Sequence, residues 1–342
     1  MKVLIVGPKS IHVSSYIENL YLKEEDIHLL SEDFCQFLNV KTEKNISFRS
    51  INPFSIIRNY FKLKHYLRGV NPTIIHVHQL NRLAFFVTRA ASKLNLPVVS
   101  TAWGSDVLII PNKNFLFRYL TIKAIQRSFV VTADAKIMIE SMQILVNSAS
   151  KYELLQYGIE MVNSVEKENV IFSNRLHKEL YRIDKVITYF ASFVKLNPTW
   201  KLVVGGEGDQ TEKLKQLVIE LEIGDKVEFV GWLLPIENKK WYAKSRIYIS
   251  IPTSDGTSVS VLEAMSAGCI PVLSDIQVSY EWIKKGKNGV IEDRNNNPLL
   301  EAMQVEETTC ASINRSLVEE RASRKFCTNR FIELYNNAKK GQ

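Results

Sequence analysis

The sequence predicts an α/β protein of two doubly wound, Rossmann-like domains that face each other across a cleft. The 342 residues are enough for about two domains of ordinary size. Short apolar runs rich in Val and Ile alternate with amphipathic stretches along the chain. This alternation is typical of parallel strands that are buried on both faces and connected by helices. Ligands of such sheets bind beyond the carboxyl ends of the strands, so we expect the functional site there.

Both halves of the chain follow this alternation. In the first half, strands are predicted at residues 2–7, 27–31, 73–78, 97–101 and 128–132, with helices at 54–69 and 81–95. In the second half, strands are predicted at 169–173, 201–205, 226–230, 247–251, 270–273 and 289–292, with helices at 178–193, 211–222, 237–244 and 259–267. Residues 157–169 lack periodicity, so the predicted domains are 1–165 and 166–342. A last, charged helix predicted at 315–339 could pack on either domain.

Composition excludes several classes of protein. Hydrophobic residues make up 46% of the chain and charged residues 23%, which is close to the globular average and argues against a disordered chain or a coiled coil. The four cysteines form no CxxC pair, so a reduced, intracellular protein without structural zinc is expected. The short apolar start is too brief for a signal peptide, and no run of 18 apolar residues predicts a membrane span.

The formal net charge of +8 is concentrated in the first half of the chain. Residues 1–165 contain 19 Lys and Arg against 12 Asp and Glu. Such an excess indicates an anionic partner (phosphate, an acidic membrane surface or nucleic acid) or simply a solvated surface. The aromatic and basic segment 58–68 fits a helix on an anionic membrane, or one that covers the sheet with its long side chains reaching water. Because the sequence shows no helix-turn-helix, RNA-binding or zinc-finger motif, nucleic acid is not expected as a partner.

The most informative stretch is SDGTSVSVLEAMSAGCIPVL at residues 254–273. A loop of small residues follows a predicted strand and enters a helix, whose first N–H groups can bind an anion such as a diphosphate. Ser258 and Ser260 add hydroxyl donors. Asp255 in the loop and Glu263 in the helix lie eight residues apart, so both can accept sugar hydroxyls in one pocket. An ordinary N-cap loop with a capping acid is the alternative interpretation.

This stretch resembles the donor-site signature of retaining glycosyltransferases of family 4, which have the GT-B fold. The family carries two glutamates before Ala-Met and Gly-x-Pro-Val, and this sequence has Asp255 at the first position and Glu263 at the second. The resemblance assigns the ribose hydroxyls to Glu263 and the donor sugar to Asp255, which is one methylene shorter than Glu. Residues between the two acids join the expected donor site: Thr257, Ser258, Val259 and Ser260.

Two further stretches resemble the donor domain of this family. VIFSNRL at residues 170–176 places Arg175 where the family meets the donor phosphates. The family has a Lys five residues later; Leu180 stands there in this chain, and Lys178 and Arg182 are the nearby candidates to replace it. The GGEGD turn at 205–209 and the FVGWL stretch at 229–233 resemble the wall of the nucleotide site. Four residues of this wall are expected to face the nucleotide: Gly206, Gly231, Trp232 and Leu233.

The first half resembles the acceptor domain of a subgroup of the same family. In STAWGSDVL, residues 100–108, Trp103 stands where many relatives have a His that lines the reaction centre. Asp106 is the acceptor-side candidate, able to accept the proton of the attacking hydroxyl or to bind a sugar hydroxyl; an N-cap is the alternative. His78, at the end of the IHVH strand, is expected near the acceptor, or with His76 as a core histidine.

The turn after the first predicted strand also contributes to the expected site. Gly7 and His12 correspond to a Gly and a His that face the donor phosphates in the subgroup, while a first-turn helix residue is the alternative for His12. The turn lacks the GxGxxG pattern, which argues against a nicotinamide cofactor.

The resemblance implies a retaining, metal-independent transfer of a sugar from a UDP- or GDP-sugar to a hydroxyl of a saccharide acceptor. The expected acceptor is lipid-linked or part of a bacterial capsule, lipopolysaccharide or other surface polysaccharide, and no cofactor besides the nucleotide sugar is expected. Asp106, Arg175 and Asp255 are the candidate catalytic residues. The expected location is the cytoplasm, at the periphery of the inner membrane face. An epimerase-like enzyme and a non-catalytic glycosyltransferase-like subunit are the alternatives.

Overall fold

The computed structural model describes residues 1–21, 26–33, 37, 39–148, 151–293 and 295–341, without the side chains of residues 11, 12 and 21. The chain divides into two compact units. The first comprises Met1–Gly158 and Arg324–Gln342, and the second comprises Ile159–Ser323. Each unit is an α/β layer structure around a parallel sheet, as the alternating pattern predicts.

The first unit is built on a parallel sheet. Its described strands are β1 (Lys2–Val6), β2 (Asp26–Ser31), β3 (Thr42–Asn45), β4 (Ile74–His78), β5 (Val98–Thr101), β6 (Val130–Ala133) and β7 (Tyr152–Leu154). Their spatial order is β3-β2-β1-β4-β5-β6-β7. The described helices of this unit are α1 (Ile11–Tyr21), α2 (Pro53–Val70), α3 (Arg82–Ser92), α4 (Ser105–Leu108), α5 (Phe115–Arg127), α6 (Lys136–Leu145) and, from the end of the chain, α14 (Arg324–Lys340). The strand order reverses between β1 and β4, which marks the edge where a doubly wound sheet binds ligands.

The second unit repeats this plan. Its described strands are β8 (Glu168–Ser173), β9 (Lys201–Gly205), β10 (Val227–Gly231), β11 (Ser245–Ser250), β12 (Ile270–Leu273) and β13 (Val290–Ile291), in the order β10-β9-β8-β11-β12-β13. Its described helices are α7 (Ile183–Leu196), α8 (Thr211–Glu220), α9 (Pro235–Lys244), α10 (Val259–Ser266), α11 (Ser279–Trp282), α12 (Pro298–Ala302) and α13 (Glu307–Ala322). Here the order reverses between β8 and β11.

The core of the second unit lies on both faces of its sheet. Successive side chains of a strand point to opposite faces, and β11 shows this directly. Ile247 and Ile249 join one buried cluster, while Tyr248 between them joins the other. Because both faces are covered by helices, all three side chains are fully buried, which explains why this strand is a continuous apolar run in the sequence.

The structure divides the chain at a different place from the predicted boundary at residue 165. The division falls between Gly158 and Ile159, and the last helix belongs to the first unit. The predicted single helix 315–339 is two helices, α13 and α14, separated at Ser323. The reason is burial: α14 packs Phe331, Tyr335 and other apolar side chains into the core of the first unit. Ile159 marks the crossing, since its N–H donates to the Ala322 carbonyl at 2.8 Å.

Two edge strands, β3 and β7, were not predicted. Their sequences, TEKN and YEL, carry charged side chains and lack a run of Val or Ile. Edge strands are only partly covered by helices, so they do not need the apolar pattern by which buried strands are recognised. None of the helices among the described residues has an apolar stretch long enough to cross a bilayer.

A buried chain of hydrogen bonds connects α14 to the sheet of the first unit. The Tyr335 hydroxyl bonds the Tyr16 hydroxyl and, at 2.6 Å, Nδ1 of His76. Nε2 of His76 bonds the Thr101 hydroxyl at 2.7 Å, which in turn bonds Thr132 at 2.7 Å. Burial, with a smaller contribution from neighbouring His78, lowers the pKa of His76 well below its usual value. The imidazole is therefore neutral, with one nitrogen to donate and the other to accept.

Replacing Tyr335 with Phe should destabilise the protein, because the buried Tyr16 hydroxyl and His76 Nδ1 lose their hydrogen-bond partner. We expect the free energy of unfolding to fall by about 1–3 kcal/mol, measured by urea denaturation. Tyr119→Phe is the matched control; this Tyr is exposed, so its hydroxyl should change stability by less than about 0.5 kcal/mol. Equal stability of the two variants would contradict a role for the buried network in attaching α14.

Candidate active site

The strand order of the second unit brings two distant segments together. β8 and β11 are parallel neighbours in the middle of the sheet. Arg175 follows the carboxyl end of β8, and Asp255 lies in the loop after β11. Because the carboxyl ends of parallel strands meet at one edge, residues 80 positions apart in the chain come into contact at the point where the strand order reverses.

Arg175 is the centre of this edge. Its Nη2 donates to Asp255 Oδ2 at 2.7 Å, and its Nη1 donates to the Ser258 hydroxyl and, at 3.4 Å, to the Ser260 hydroxyl. The two serine hydroxyls also bond each other at 2.8 Å. The guanidinium carbon lies 4.5 Å from the centre of the Tyr181 ring, a cation–π distance. The structure therefore brings together four of the residues that the sequence predicts for the diphosphate and sugar.

Residues that the sequence analysis missed hold Arg175 in place. Asn174 directly precedes it and donates to Asn238 Oδ1 and to the Tyr242 hydroxyl, both at 2.6 Å. Asn174 Oδ1 accepts a bond of 2.9 Å from the Tyr248 hydroxyl. All donors and acceptors of this amide side chain thus serve to fix the end of β8. A polar residue directly after a buried strand was the available signal for Asn174.

Burial sets the electrostatics of the ion pair. It raises the pKa of Asp255 above the usual aspartate value, and the nearby Arg175 guanidinium opposes this only in part. Burial also acts to lower the pKa of Arg175, but Asp255 and neighbouring tyrosines together outweigh it and raise that pKa. Arg175 therefore remains a cation, while the ionised form of Asp255 is less favoured than in water.

The helix after this loop presents its N-terminus to the same place. Ser258 is the N-cap residue of α10, yet its side chain makes no capping bond, because the hydroxyl accepts from Arg175. The first N–H groups of α10 are therefore left to bind an anion.

Other predicted donor-site residues of this segment hold the loop or lie on the helix. Thr257 accepts a bond from the Trp282 indole at 3.3 Å, and Val259 packs on the core, so both hold the loop. Glu263 lies on α10 and is partly exposed.

The structure separates the two candidates for the missing family lysine. Arg182 makes a two-bond ion pair with Glu292, at 3.0 and 2.8 Å. Glu292 is buried and also accepts from the Tyr189 hydroxyl at 2.8 Å. Arg182 is thus committed to a structural pair, whereas Lys178 is exposed just after Arg175. Lys178 is the better placed of the two to contribute positive charge.

The predicted nucleotide wall lies along the ends of β8, β9 and β10. A Cβ at Gly206 would lie 2.6 Å from the Arg175 carbonyl oxygen, so only glycine permits this approach. The Gly206 N–H donates to the Gly231 carbonyl at 2.7 Å, and both glycines line a pocket of about 520 Å³ with His177. Trp232 is 65% exposed, and Leu233 packs against the core.

In the first unit, the strand reversal brings Gly7 and His78 together. Gly7 follows β1, His78 ends β4, and a Cβ at Gly7 would lie 3.2 Å from the His78 Cβ. His78 is buried among aromatic rings: it stacks on His76 with centroids 4.2 Å apart and meets Tyr16 edge-on at 4.8 Å. This burial favours the core interpretation of His78. The side chain of His12 lies outside the described residues.

Asp106 is 2% exposed and binds backbone groups with both oxygens. Oδ2 accepts the Leu80 N–H at 2.6 Å, and Oδ1 accepts the Trp103 N–H at 2.9 Å. Burial raises the pKa of Asp106, and these N–H groups oppose the rise. The contacts show Asp106 joining the loops after β4 and β5; its role beside the acceptor remains a prediction. Trp103 is partly exposed and packs on the core cluster.

Among the described residues, no group of three or more His, Cys, Asp or Glu side chains is arranged to hold a metal ion. The His76 and His78 pair belongs to the buried aromatic and polar cluster of the first unit.

Comparison with known proteins agrees with this arrangement. The family model for glycosyl transferases group 1 matches residues 160–305, and the model for glycosyl transferase 4-like proteins matches residues 2–135. Together the two models match most of both units. The alpha-monoglucosyldiacylglycerol synthase of Streptococcus pneumoniae is 25% identical over 245 residues, which are 64% of this chain and 55% of that protein. The O-antigen chain mannosyltransferase RfbU of Salmonella typhimurium is 26% identical over 155 residues, 43% of this chain and 39% of that protein. The chain thus matches about half or less of the length of these two relatives.

A solved structure supports the fold over nearly the whole chain. The Anabaena protein HepE in complex with UDP and glucose has a TM-score of 0.76 and 12% identity, covering 98% of this chain and 99% of that one. Structural similarity at 12% identity supports the fold alone. The two family models show the family to which both units belong. The chain therefore belongs to the group 1 glycosyltransferases with the GT-B fold.

Proposed function

We propose that this glycosyltransferase is a retaining, metal-independent enzyme that moves a sugar from a nucleoside diphosphate sugar to a hydroxyl of a saccharide acceptor. The observation that carries the proposal is the position of Arg175, whose guanidinium lies with two serine hydroxyls at the N-terminus of α10. A cation, hydroxyl donors and free helix N–H groups in one place form a site for a diphosphate.

The chemistry that these groups would serve is the departure of the diphosphate. The bond between the anomeric carbon and the phosphate oxygen breaks, the acceptor oxygen bonds that carbon, and the acceptor proton is released to water. Negative charge grows on the leaving diphosphate as the bond breaks. Arg175 and the α10 N–H groups stabilise that charge from fixed positions, and Lys178 adds positive charge nearby. We propose that these groups serve in place of a metal. Glu263 holds the ribose and Asp255 the donor sugar.

The relatives support the donor and acceptor classes that we propose. HepE was solved with UDP, so UDP-sugars are the first donors to test, with GDP-sugars second. The two relatives described above are named for a glycolipid and for an O-antigen chain. We propose a lipid-linked or surface polysaccharide acceptor for this chain, used in the cytoplasm at the inner face of the membrane. The basic first half of the chain supports such an acceptor, which would carry phosphate or lie beside anionic lipid.

Nucleotide binding by variants of Arg175 and Glu263 tests the proposal. Arg175→Ala should weaken UDP binding by about tenfold to a hundredfold, since charge-assisted bonds to phosphate are lost, but should leave uridine binding unchanged. Glu263→Ala should weaken both ligands, because both contain ribose. Isothermal titration calorimetry measures these affinities, with Glu220→Ala on the exposed face of α8 as control.

The same proteins are then tested for transfer, as UDP release that depends on a saccharide acceptor. Arg175→Ala should slow this release by more than it weakens UDP binding. If the wild-type chain binds neither UDP nor GDP, the proposal is wrong and a non-catalytic subunit is favoured. Turnover of the donor sugar to its epimer without acceptor would favour the epimerase-like alternative.

Alanine variants of Lys178 and Arg182 should separate an effect on nucleotide binding from an effect on the stability of the fold. Lys178→Ala is expected to weaken UDP binding by several-fold through lost charge, with little change in stability. Arg182→Ala leaves the buried Glu292 carboxylate without its guanidinium and should lower the free energy of unfolding by about 3 kcal/mol, with UDP affinity unchanged. Urea denaturation and calorimetry on both variants measure the two effects; the reverse pattern would transfer the phosphate role to Arg182.

The ion pair predicts a pH dependence of nucleotide binding. A carboxylate whose pKa is raised in the folded state takes up its proton earlier as the pH falls, and the protonated Asp255 no longer competes with phosphate for Arg175. UDP affinity should therefore rise, relative to Asp255→Asn, as the pH is lowered through this raised pKa. Protonation of the phosphate affects both proteins equally, so the ratio of their affinities isolates Asp255. A ratio independent of pH would show that Asp255 does not compete for Arg175.

A further inference from the structure

One segment of the first unit is almost free of acidic residues. Between residues 44 and 133 the chain has 13 Lys and Arg, and Asp106 is the only acidic residue. Asp106 is buried and bound to backbone N–H groups, so it does not offset the positive charge at the surface. Arg49 is paired with Glu32 and Asp33, which precede the segment, so it adds little to that charge. This segment contains α2, α3 and α5.

The three helices form one layer that starts at one edge of the sheet. α3 packs between α2 and α5. The ring centroids of Phe86 and Tyr60 of α2 are 6.2 Å apart, and those of Phe85 and Tyr119 of α5 are also 6.2 Å apart. α2 and α3 follow the parallel strands β3 and β4, and α5 follows β5 after the short helix α4. All three therefore begin on the carboxyl side of the sheet. Packed helices lie about 8–10 Å apart, which puts the starts of α2 and α5 about 20 Å from each other.

Large apolar side chains are exposed at these two helix starts. On α2, Leu63 and Leu67 are buried on the unit, while the opposite side of its first half faces water. Phe54 is 83% exposed and Phe115 is 86% exposed. We call the exposed set the apolar tips: Ile51, Phe54, Ile57, Phe61, Phe115 and Leu116. Both starts are held by side-chain caps, Asn52 to the Phe54 N–H and Asn114 to the Phe117 N–H.

Positive side chains surround the apolar tips. Arg58 and Lys62 are exposed on α2 beside Phe54 and Phe61, and Lys113 and Arg118 flank the start of α5. Apolar side chains next to cations, on helices that contain no Asp or Glu, complement the boundary between the acyl chains and headgroups of an anionic bilayer. The aliphatic members of the tips have no flat ring to stack on a base, which argues for lipid over nucleic acid.

We propose that the apolar tips and the basic side chains around them dock the first unit on an anionic lipid membrane. Phenyl and aliphatic groups from two helix starts enter the headgroup boundary, and Arg58, Lys62, Lys113 and Arg118 bind lipid phosphates. The surface lies at the carboxyl edge of the sheet, so docking would turn this edge toward lipid-borne acceptors. This last consequence rests on the proposed function, whereas the docking itself does not.

Vesicle flotation of the full chain tests the docking. The protein should float with vesicles of phosphatidylcholine containing about 30 mol% phosphatidylglycerol, less with phosphatidylcholine alone, and less again at high salt. The double variant Phe54→Ser/Phe115→Ser should lose at least about tenfold in partition, since two large side chains no longer enter the boundary. Arg58→Gln and Lys62→Gln should each cost about fivefold on anionic vesicles only.

Two exposed apolar residues of the second unit provide a matched control. Leu196 is 71% exposed and Ile219 is 66% exposed, so Leu196→Ser/Ile219→Ser removes similar exposed apolar surface elsewhere. This variant should bind vesicles as the wild-type chain does. If the wild-type chain does not float with anionic vesicles, or if the Phe54/Phe115 variant floats equally well, the proposal is overturned.

Two further experiments test whether nucleic acid or a second copy of the chain binds this surface instead of lipid. An RNA oligonucleotide is added to compete with vesicles for the protein. If it displaces the wild-type chain and the Phe54/Phe115 variant equally well, the basic residues bind nucleic acid and the proposal is overturned. A dimer in sedimentation velocity that this variant dissociates, without vesicle binding, would assign the surface to a second copy.

Nucleotide binding keeps the two proposals distinguishable. The docking variants should bind UDP like the wild-type chain, and Arg175→Ala should bind vesicles like the wild-type chain. Failure of vesicle binding alone contradicts the docking, whereas failure of nucleotide binding alone contradicts the proposed function.

Discussion

The parallel pairing of β8 with β11 is the constraint on which the candidate site depends. Hydrogen bonds between these strands place the segment that ends in Arg175 beside the one that continues to Asp255 and α10. No local preference could bring together residues 80 positions apart. The reversal of strand order at this pair leaves the two loops on opposite sides of one gap, which is why the sheet has its ligand edge there.

The ion pair at this edge has two physical effects. Asp255 satisfies a guanidinium that would otherwise be largely buried without a counter-charge, an arrangement that costs several kcal/mol in protein interiors. It also holds Arg175 and the two serines in the geometry that an anionic oxygen needs, so a phosphate entering the site would find its donors already oriented. Asp255 is therefore both a stand-in for the ligand and its competitor. A competitor whose own ionised form is disfavoured by burial is one that a more highly charged anion can displace.

The first unit depends in a similar way on contacts between distant parts of the chain. Its last helix, α14, comes from the end of the chain and buries Phe331 and Tyr335 against a sheet formed by the first 160 residues. The hydrogen-bonded chain through His76 fixes the position of the helix, because each buried polar group in it has a partner of matching polarity. The opposite layer, α2 with α3 and α5, keeps its apolar tips in water. The α14 layer therefore attaches the end of the chain to the sheet, whereas the α2, α3 and α5 layer carries the exposed apolar tips.

The sequence by itself determined the class of fold, the interior strands, several of the helices and the family. Buried parallel strands and a motif such as that at 254–273 are recognisable because each consists of consecutive residues. It also identified Arg175, Asp255, Ser258 and Ser260 as members of one site. Tertiary structure alone decided that Arg182 pairs with Glu292, that Asp106 binds two backbone N–H groups, and that α14 joins the first unit. Each of these depends on which surfaces meet in space. A charged or apolar side chain has the same local sequence signal whether its partner is a ligand, water or a segment 100 residues away.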